Sequence, residues 1–504
     1  MMLTGTAALA VTVDGSPVPV DLTARIVSAR VATRLGLPAQ AELAYSVVRG
    51  SGAELGIFPL GAALTVRLEG DQTPLFAGQI TASALVHGPD GATQIRVRGY
   101  DKLHLLRKRQ QLRYFSDVTA VQLAEQLCGP DGISVSADET GPQFQRIVQY
   151  SQTDFELLRE TCSSAGLYPV LSGDELRLCT LRGSDDFLPL ELGRTLFDAT
   201  VEANLDRAAQ GFTAFGWDRQ SAKLFREQVG SPRGGATVPT GPDLSTLGLD
   251  GELMLLDQQG ATATEVAARA QAELDVRAAS TVTLRGTAAG DAALRAGVCV
   301  EISGVAADFT GRYVLTEAIH TVDATGFHTT VSTEPPAIPA ARPSTAITLG
   351  TVTDVADPEG LGRVQVRLPA YGDPDVGWLG VLCAGAGKKR GLVILPDVGD
   401  TVLVALSHGP VGGVVLGGLY GGEKPPDAGV DGGKVKRWSM HTDDGQRIIV
   451  DDGAHTITVA NRGGSTLSLA PGKVTLHAET DLDITAPGKT ITIKAKAVEF
   501  MREE

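Results

Sequence analysis

No stretch of this 504-residue chain approaches the ~18 consecutive apolar residues that a membrane-spanning helix needs. The start, MMLTGTAALAVTVDG, lacks a basic leader and soon alternates apolar letters with Thr and Asp, which reads as a strand and not as a signal peptide. Synthesis as a cytoplasmic protein is expected. Cysteine is scarce, and Cys128, Cys162, Cys179, Cys299 and Cys383 are odd in number, far apart and mostly set among apolar neighbours. They read as small buried hydrophobes in a reducing compartment. With no CxxC pair and eight scattered histidines, no metal ligand set is signalled. Positive charge is also short: a formal net charge of -15 repels phosphate backbones and removes the main source of nucleic-acid affinity. The one basic run, RKRQQLR from Arg107 to Arg113, has no interleaved aromatics and reads as a solvated or interface-lining face.

What remains is the composition of a globular protein, 43% hydrophobic and 20% charged, long enough for three or four domains. Residues 1–100 carry short alternating strands (AVTVDGSPVPV, AALTVRL, LFAGQITAS, QIRVRG) between Gly and Pro, which suits a small antiparallel barrel or sandwich. Over 101–196 the period changes. DVTAVQLAEQLCG (117–129) predicts a helix capped by Asp117 and ended by Gly129. TDFELLRETCSSAG (153–166) predicts a second, with Thr153 and Glu156 at capping-box spacing and Phe155, Leu158 and Cys162 on its buried face. From 197 to 340 strands return around one Ala-rich helix (264–279) and end in a hairpin over 311–333, giving a second barrel-like unit. AIPAARPSTA (337–346) is a linker.

Residues 345–422 hold five or six short strands (ITLGTVTD, GRVQVRLP, GWLGVLC, GLVILP, DTVLVAL, GVVLGGLY), the content of a small closed barrel of the OB type. DPEG (357–360) fits a type I turn. After a Gly/Pro-rich connector, 434–504 never turns helical. Its apolar letters fall in i, i+2 pairs near an eight-residue repeat: Ile457/Val459, Leu467/Leu469, Val474/Leu476, Leu482/Ile484, Ile491/Ile493 and Val498/Phe500. Two apolar side chains per strand are too few to fold alone, so the strands need partners. Three chains winding together would turn every pair to a common axis and leave no open edge, as a rod of roughly 30 Å for six rungs. The alternative is an ordinary sheet packed on the barrel.

The ordered set DPEGLGRV, P-x-V-G-D and V-L-G-x-L-Y, carried by Asp357, Pro358, Gly360, Gly362, Arg363, Pro396, Gly399 and Asp400, resembles the OB-fold of VgrG proteins and phage baseplate spikes. VQYSQTDFELLRE and GRYVLTEAIHTVD…GFHTTV resemble the late-control D-like hub of the same family. The resemblance implies a mainly β chain with a few helices: a first hub β-barrel (1–100), a helical and hairpin hub insert (101–196), a second hub β-barrel (197–340), the OB-fold (345–422) and a C-terminal intertwined triple-stranded β-helix (434–504). It implies a homotrimer whose six hub barrels meet the inner tube and baseplate proteins. A PAAR-like tip protein would sit on Val498, Phe500 and Met501, and the spike would touch a target membrane transiently. No lysozyme-like or effector domain is expected, and the machine is read as an extracellular contractile injection system in preference to type VI secretion or a phage.

Signals of chemistry are weak. GAGKKRG (385–391) fails the phosphate-loop spacing, with Lys389 where Ser or Thr belongs. Asp443/Asp444 and Asp451/Asp452 sit beside Gly and read as turns before glycosidase carboxylates. No catalytic, cofactor or metal residue is assigned. The rival reading, a polysaccharide-degrading or -binding tail-spike-like protein, needs an aromatic groove, and aromatics are only 5%.

Overall fold

The computed structural model describes residues 8–47, 53–89, 91–149, 151–183, 186–218, 223–239, 252–259, 262–337, 345–373, 375–407 and 413–502. The chain is mainly β and divides into two compact units, Met1–Gly418 and Leu419–Glu504.

The first unit is organised by an eleven-stranded antiparallel sheet. Its central pair joins Ile26–Arg34 to Glu317–Asp323, so strands from the two ends of this unit's N-terminal three hundred residues lie side by side. Outward from Ile26–Arg34 run Leu37–Val47, Thr93–Tyr100, Phe76–His87 and Ala63–Leu68; outward from Glu317–Asp323 run Gly326–Ser332, Val282–Ala289 and Leu196–Ala203. The period-2 pattern explains these strands. Along Thr93–Tyr100, Ile95 and Val97 are fully buried while Arg96 and Arg98 face out. Each half has its own apolar core, one around Leu43, Tyr45, Leu64 and Ile95, the other around Leu196, Leu284, Val300 and Ile302. At ~1.5–3 kcal/mol for each large apolar side chain removed from water, each core is a substantial source of stability. The expected barrels are thus two halves of one continuous sheet. The expected hairpin over 311–333 is shorter than its sequence suggests: only Glu317–Asp323 and Gly326–Ser332 form it, while Gly311–Val314 pairs with Cys299–Ser303 in a separate three-stranded sheet.

Between the halves, helices Ala120–Cys128 and Asp154–Ser164 pack on a third core with Leu103, Leu176 and Leu178. The second helix follows its sequence signals: Thr153 and Glu156 form a capping box, Phe155, Leu158 and Cys162 are buried, and Gly166 takes a left-handed φ of 74° just past the end. The first differs. Its cap is Thr119, whose hydroxyl accepts from Gln122 N at 3.2 Å while Gln122 reciprocates at 3.0 Å; Asp117 lies two residues too early, with a left-handed φ of 53°. A basic run beside these helices is partly used by the fold, while Arg107 and Lys108 stay exposed. Arg107 lies over the rings of Tyr100 and Phe155, while Arg109 and Arg113 bond the buried Asp154 carboxylate at 3.1 and 2.7 Å.

Residues 345–418 close into a five-stranded barrel, in the order Thr345–Asp354, Arg363–Arg367, Asp375–Val381, Gly413–Gly418 and Thr401–Ser407. Val352, Val364, Val366, Val402, Val404 and Val415 fill it. The sixth expected strand, GLVILP, is a loop whose Leu392, Val393 and Ile394 are exposed. Its three adjacent apolar residues lack the alternation that a half-buried strand requires.

The second unit is a hairpin, Val430–Asp431 with Lys434–Val435, followed by a five-stranded antiparallel meander: Arg437–His441, Arg447–Asp451, Thr456–Ala460, Thr466–Ala470 and Lys473–His477. Of the six expected paired strands, those at Ile457/Val459, Leu467/Leu469 and Val474/Leu476 are present. Leu482/Ile484, Ile491/Ile493 and Val498/Phe500 lie in no strand of this chain.

The central strand pair of the first unit carries a buried histidine. His320 faces Val31 across the join, bonds the Thr329 hydroxyl at 3.0 Å and is flanked by Arg295 and Asp291. Burial, reinforced by Arg295, lowers its pKa to about 4. A depressed histidine binds protons more readily when unfolded, so stability is full above pH 6.5 and is lost as pH falls towards 4. Denaturant melts of wild type at pH 7 and pH 4 are expected to differ by about 2–3 kcal/mol more than those of His320→Gln.

Candidate functional site

Two features of this chain stand out, and they lie in different units. In the barrel, Asp357 anchors the loop between the first two strands. Its carboxylate accepts from the backbone N–H of Glu359, Leu361 and Arg363 at 3.1, 2.8 and 3.2 Å, and from Arg363 Nη2 at 2.6 Å. Gly360 N–H donates to Asp357 O at 3.0 Å, closing the turn in which Pro358 occupies the second position. Gly360 and Gly362 take left-handed φ values of 65° and 72°, which a side chain would strain. The Arg363 guanidinium, itself 6% exposed and also paired with Glu359 at 3.1 Å, holds the Asp357 carboxyl well below the usual carboxylate range. The second motif loop behaves alike. Asp397 N–H donates to Asp400 Oδ2 at 2.8 Å, and Gly399 N and Asp400 O clip the loop to Val352. Pro396 precedes that turn. The motif residues are therefore brought together as two turns on one strand end, with Gly362 beside Leu395. Their chemistry is turn closure.

In the second unit the strand register aligns two apolar rows on one sheet face. Trp438, Val450, Ile457, Leu469 and Val474 are successive cross-strand partners, and so are Met440, Ile448, Val459, Leu467 and Leu476. The opposite face carries the row Ser439, Ile449, Thr458, Ser468 and Thr475. The chain does not cover the apolar face: Ile457, Val459, Leu467 and Leu469 are 40–43% exposed, and Ala460 is the one residue of this sheet that is fully buried. A hollow along the face is lined by Met440, Ile448, Val459, Leu467, Leu476 and Leu482. Leu482, Ile484, Ile491, Ile493 and Val498 are exposed too, as are Phe500 and Met501 at 93% and 87%. Sequence reasoning missed the first two strands of the face. Trp438/Met440 was a visible i, i+2 pair, but Ile448, Ile449 and Val450 run together and hide the alternation.

The remaining candidates are accounted for locally. Lys388 and Lys389 sit at the tip of a tight turn bridged by Gly387 and Arg390, at 2.9 and 3.0 Å. Asp444 pairs with Arg462 at 3.2 Å, and Asp451 accepts from Ala454 N at 2.9 Å. Burial pushes the Cys128 and Cys179 thiols up to about 12, and Cys162 higher still; Cys383 is half-buried. Among the described residues, no group of three or more His, Cys, Asp or Glu side chains could hold a metal ion, and no helix is long and apolar enough to cross a membrane.

The family model of the type VI secretion system and phage-baseplate injector OB domain matches residues 348–420, which contain both motif loops. The Alg8 N-terminal domain model matches residues 56–324, just over half of the chain. The chain belongs to the VgrG and phage-baseplate hub-spike family, with an N-terminal region of the Alg8 family.

Solved structures share the hub-spike fold at low sequence identity. The Francisella PdpA–VgrG complex aligns with a TM-score of 0.54 and 8% identity over 93% of this chain and 79% of that one. An E. coli component of the type VI secretion system, structurally similar to bacteriophage T4 tail proteins, gives 0.51 and 14% over 81% and 99%. The 43 kDa tail protein of prophage MuSo2 from Shewanella oneidensis gives 0.51 and 18% over 64% and 97%. No curated protein sequence matches. The injector OB-domain match is to a component of such machines and supports a structural spike or hub role for this chain, while the Alg8 N-terminal domain match is of a different kind.

Asp357→Asn keeps the shape of the hub-spike barrel loop but removes the charge that organises it. Hydrogen exchange at the Leu361 and Arg363 amides is expected to accelerate at least roughly ten-fold, the scale set by losing a charge-assisted hydrogen bond, while the other barrel amides change little.

Proposed function

We propose that the chain is the homotrimeric hub-spike of a contractile injection particle, of the extracellular class, that joins a six-fold inner tube to a three-fold puncturing spike. The uncovered apolar face of the C-terminal sheet carries this reading. Ten side chains in two aligned rows have no second layer within their own chain, and three such walls facing one axis would bury them all. At ~25 cal/mol per Å² of apolar surface removed from water, that burial is a large driving force for association.

The hub half of the reading rests on the eleven-stranded sheet. Its central antiparallel pair relates two sets of strands, each with its own core, and two like halves per chain would present six similar units in a trimer. That count suits a six-fold tube and its baseplate. At the far end, Val498, Phe500 and Met501 would carry a PAAR-like tip protein that makes the transient contact with a target membrane. The particle is assembled in the bacterial cytoplasm, and the chain itself performs no reaction: its work is to transmit force.

The purified full chain is expected to run as a trimer of about 157 kDa, three chains of 52.4 kDa. Val459→Asp with Leu467→Asp places two charges per chain on the apolar face and is expected to give a folded monomer by light scattering. A wild-type monomer at micromolar concentration would overturn the trimer, and turnover of peptidoglycan or polysaccharide by the purified protein would replace the reading with the tail-spike enzyme.

A further inference from the structure

The five-stranded barrel touches the helical insert that lies between the sheet halves. On the barrel side, a 3-10 turn at Pro369–Tyr371 leads through Gly372 and Asp373 to the strand Asp375–Val381. Gly372 and Gly377 both take left-handed φ values, 84° and 75°. Each meets a side chain of the insert. A Cβ at Gly372 would lie 3.1 Å from Leu112 Cδ2, and one at Gly377 would overlap the Arg146 guanidinium. The two insert residues come from one strand pair: Leu112 directly precedes Arg113–Thr119, and Arg146 stands opposite Ser116 on Gln143–Gln149. Two side chains of one ladder thus enter two notches that glycine leaves open.

The notches are filled unequally. Leu112 is apolar and needs nothing beyond contact. Arg146 crosses over the ring of the exposed Tyr114, its Cζ 5.1 Å from the centroid, and its Nη2 donates to Asp375 O at 3.4 Å, which is long for a hydrogen bond. The Asp375 carboxylate turns instead to the Gly377 N–H, at 2.7 Å. Arg146 Nε is buried and has no hydrogen-bond partner among the described residues. Burial lowers the pKa of this guanidinium, and the nearby Tyr114 and Asp375 offset only part of that effect. Other arginines of the insert are fully engaged by comparison. Arg109 and Arg113 reach Asp154 at 3.1 and 2.7 Å, and Arg177 reaches Asp138 at 2.7 Å.

We infer that the insert is a two-point seat for the barrel, with Leu112 in the Gly372 notch as its pivot and Arg146 in the Gly377 notch as a latch built to open. A guanidinium drawn partly out of water for one long bond gains little by staying, and it recovers its hydration when the barrel tilts away. An apolar pivot is favoured wherever it stays covered. The barrel therefore rocks on Leu112, and Asp375–Val381 parts from Arg146 without either core unfolding. The chain continues from the barrel into the C-terminal unit, so the angle at which that unit leaves the first is set at this seat. The seat lies within one chain and serves monomer and trimer alike.

Hydrogen exchange of the full chain tests this. Arg146→Ala empties the notch and is expected to speed exchange in the barrel loop 369–377 and in Gln143–Gln149 by roughly ten-fold, the scale of a lost packing and hydrogen-bond contact. Arg146→Met keeps the apolar stem without the charge and is expected to slow the same two segments by roughly three-fold relative to wild type, because the latch no longer gains by opening. Asp154–Ser164 and Thr401–Ser407 are expected to stay unchanged in both. Equal exchange in wild type and Arg146→Ala would overturn the seat, and Arg146→Met exchanging as fast as Arg146→Ala would overturn the latch. Tyr114→Ala removes only an exposed ring beside Arg146 and serves where Arg146→Ala fails to fold. It is expected to speed the same two segments, and exchange unchanged from wild type would overturn the inference.

Discussion

A one-layer sheet with an apolar face must find a second layer, and the C-terminal unit supplies none. The constraint follows from a period of two. Each five-residue strand offers two side chains to one face and cannot offer more without lengthening, and the turns between strands are too short to fold back as a cover. Ten aligned apolar residues therefore stay open in the single chain, and only Ala460 of that sheet is shielded. The sheet's four internal ladders are paired by contrast, so its backbone is ordered before any partner arrives. What association adds is the burial of the face.

The first unit solves the same problem internally. Its eleven-stranded sheet has helices, a three-stranded sheet and its own curvature to enclose two separate cores, and the join between the halves is itself made of paired backbone and buried side chains. Arg34 and Glu317 pair at one end of that join and His320 is buried within it. Three cations of the basic run are spent inside the insert: Arg109 and Arg113 on Asp154, and Arg107 on the faces of Tyr100 and Phe155. Within a net charge of -15, this local positive cluster is half consumed by internal pairing, and only its Arg107 and Lys108 end is exposed.

Most of the architecture was legible because it obeys simple periods. The Thr153 capping box, the DPEG turn and the barrel strands each announce themselves within a few residues. Long-range pairing was not legible. Nothing local says that residues 26–34 and 317–323 are neighbours, because a ladder is specified by register and burial rather than by letters that match. GLVILP failed as a strand for a related reason, since an apolar run fixes neither direction nor face. The cap at Asp117 was misplaced because Asp and Thr both serve, and only the position of Gln122 selects Thr119. For the spike, the apolar pairs were visible but their use was not: a pair at 467/469 and one at 491/493 look alike in sequence, yet only the first lies in a strand.

In the proposed prism the strands run across the axis and their hydrogen bonds run along it. An axial load then presses successive rungs together, shortening bonds that are already paired, while peeling one wall outward would expose its apolar rows to water. The weak direction is lateral separation of the walls at their corners.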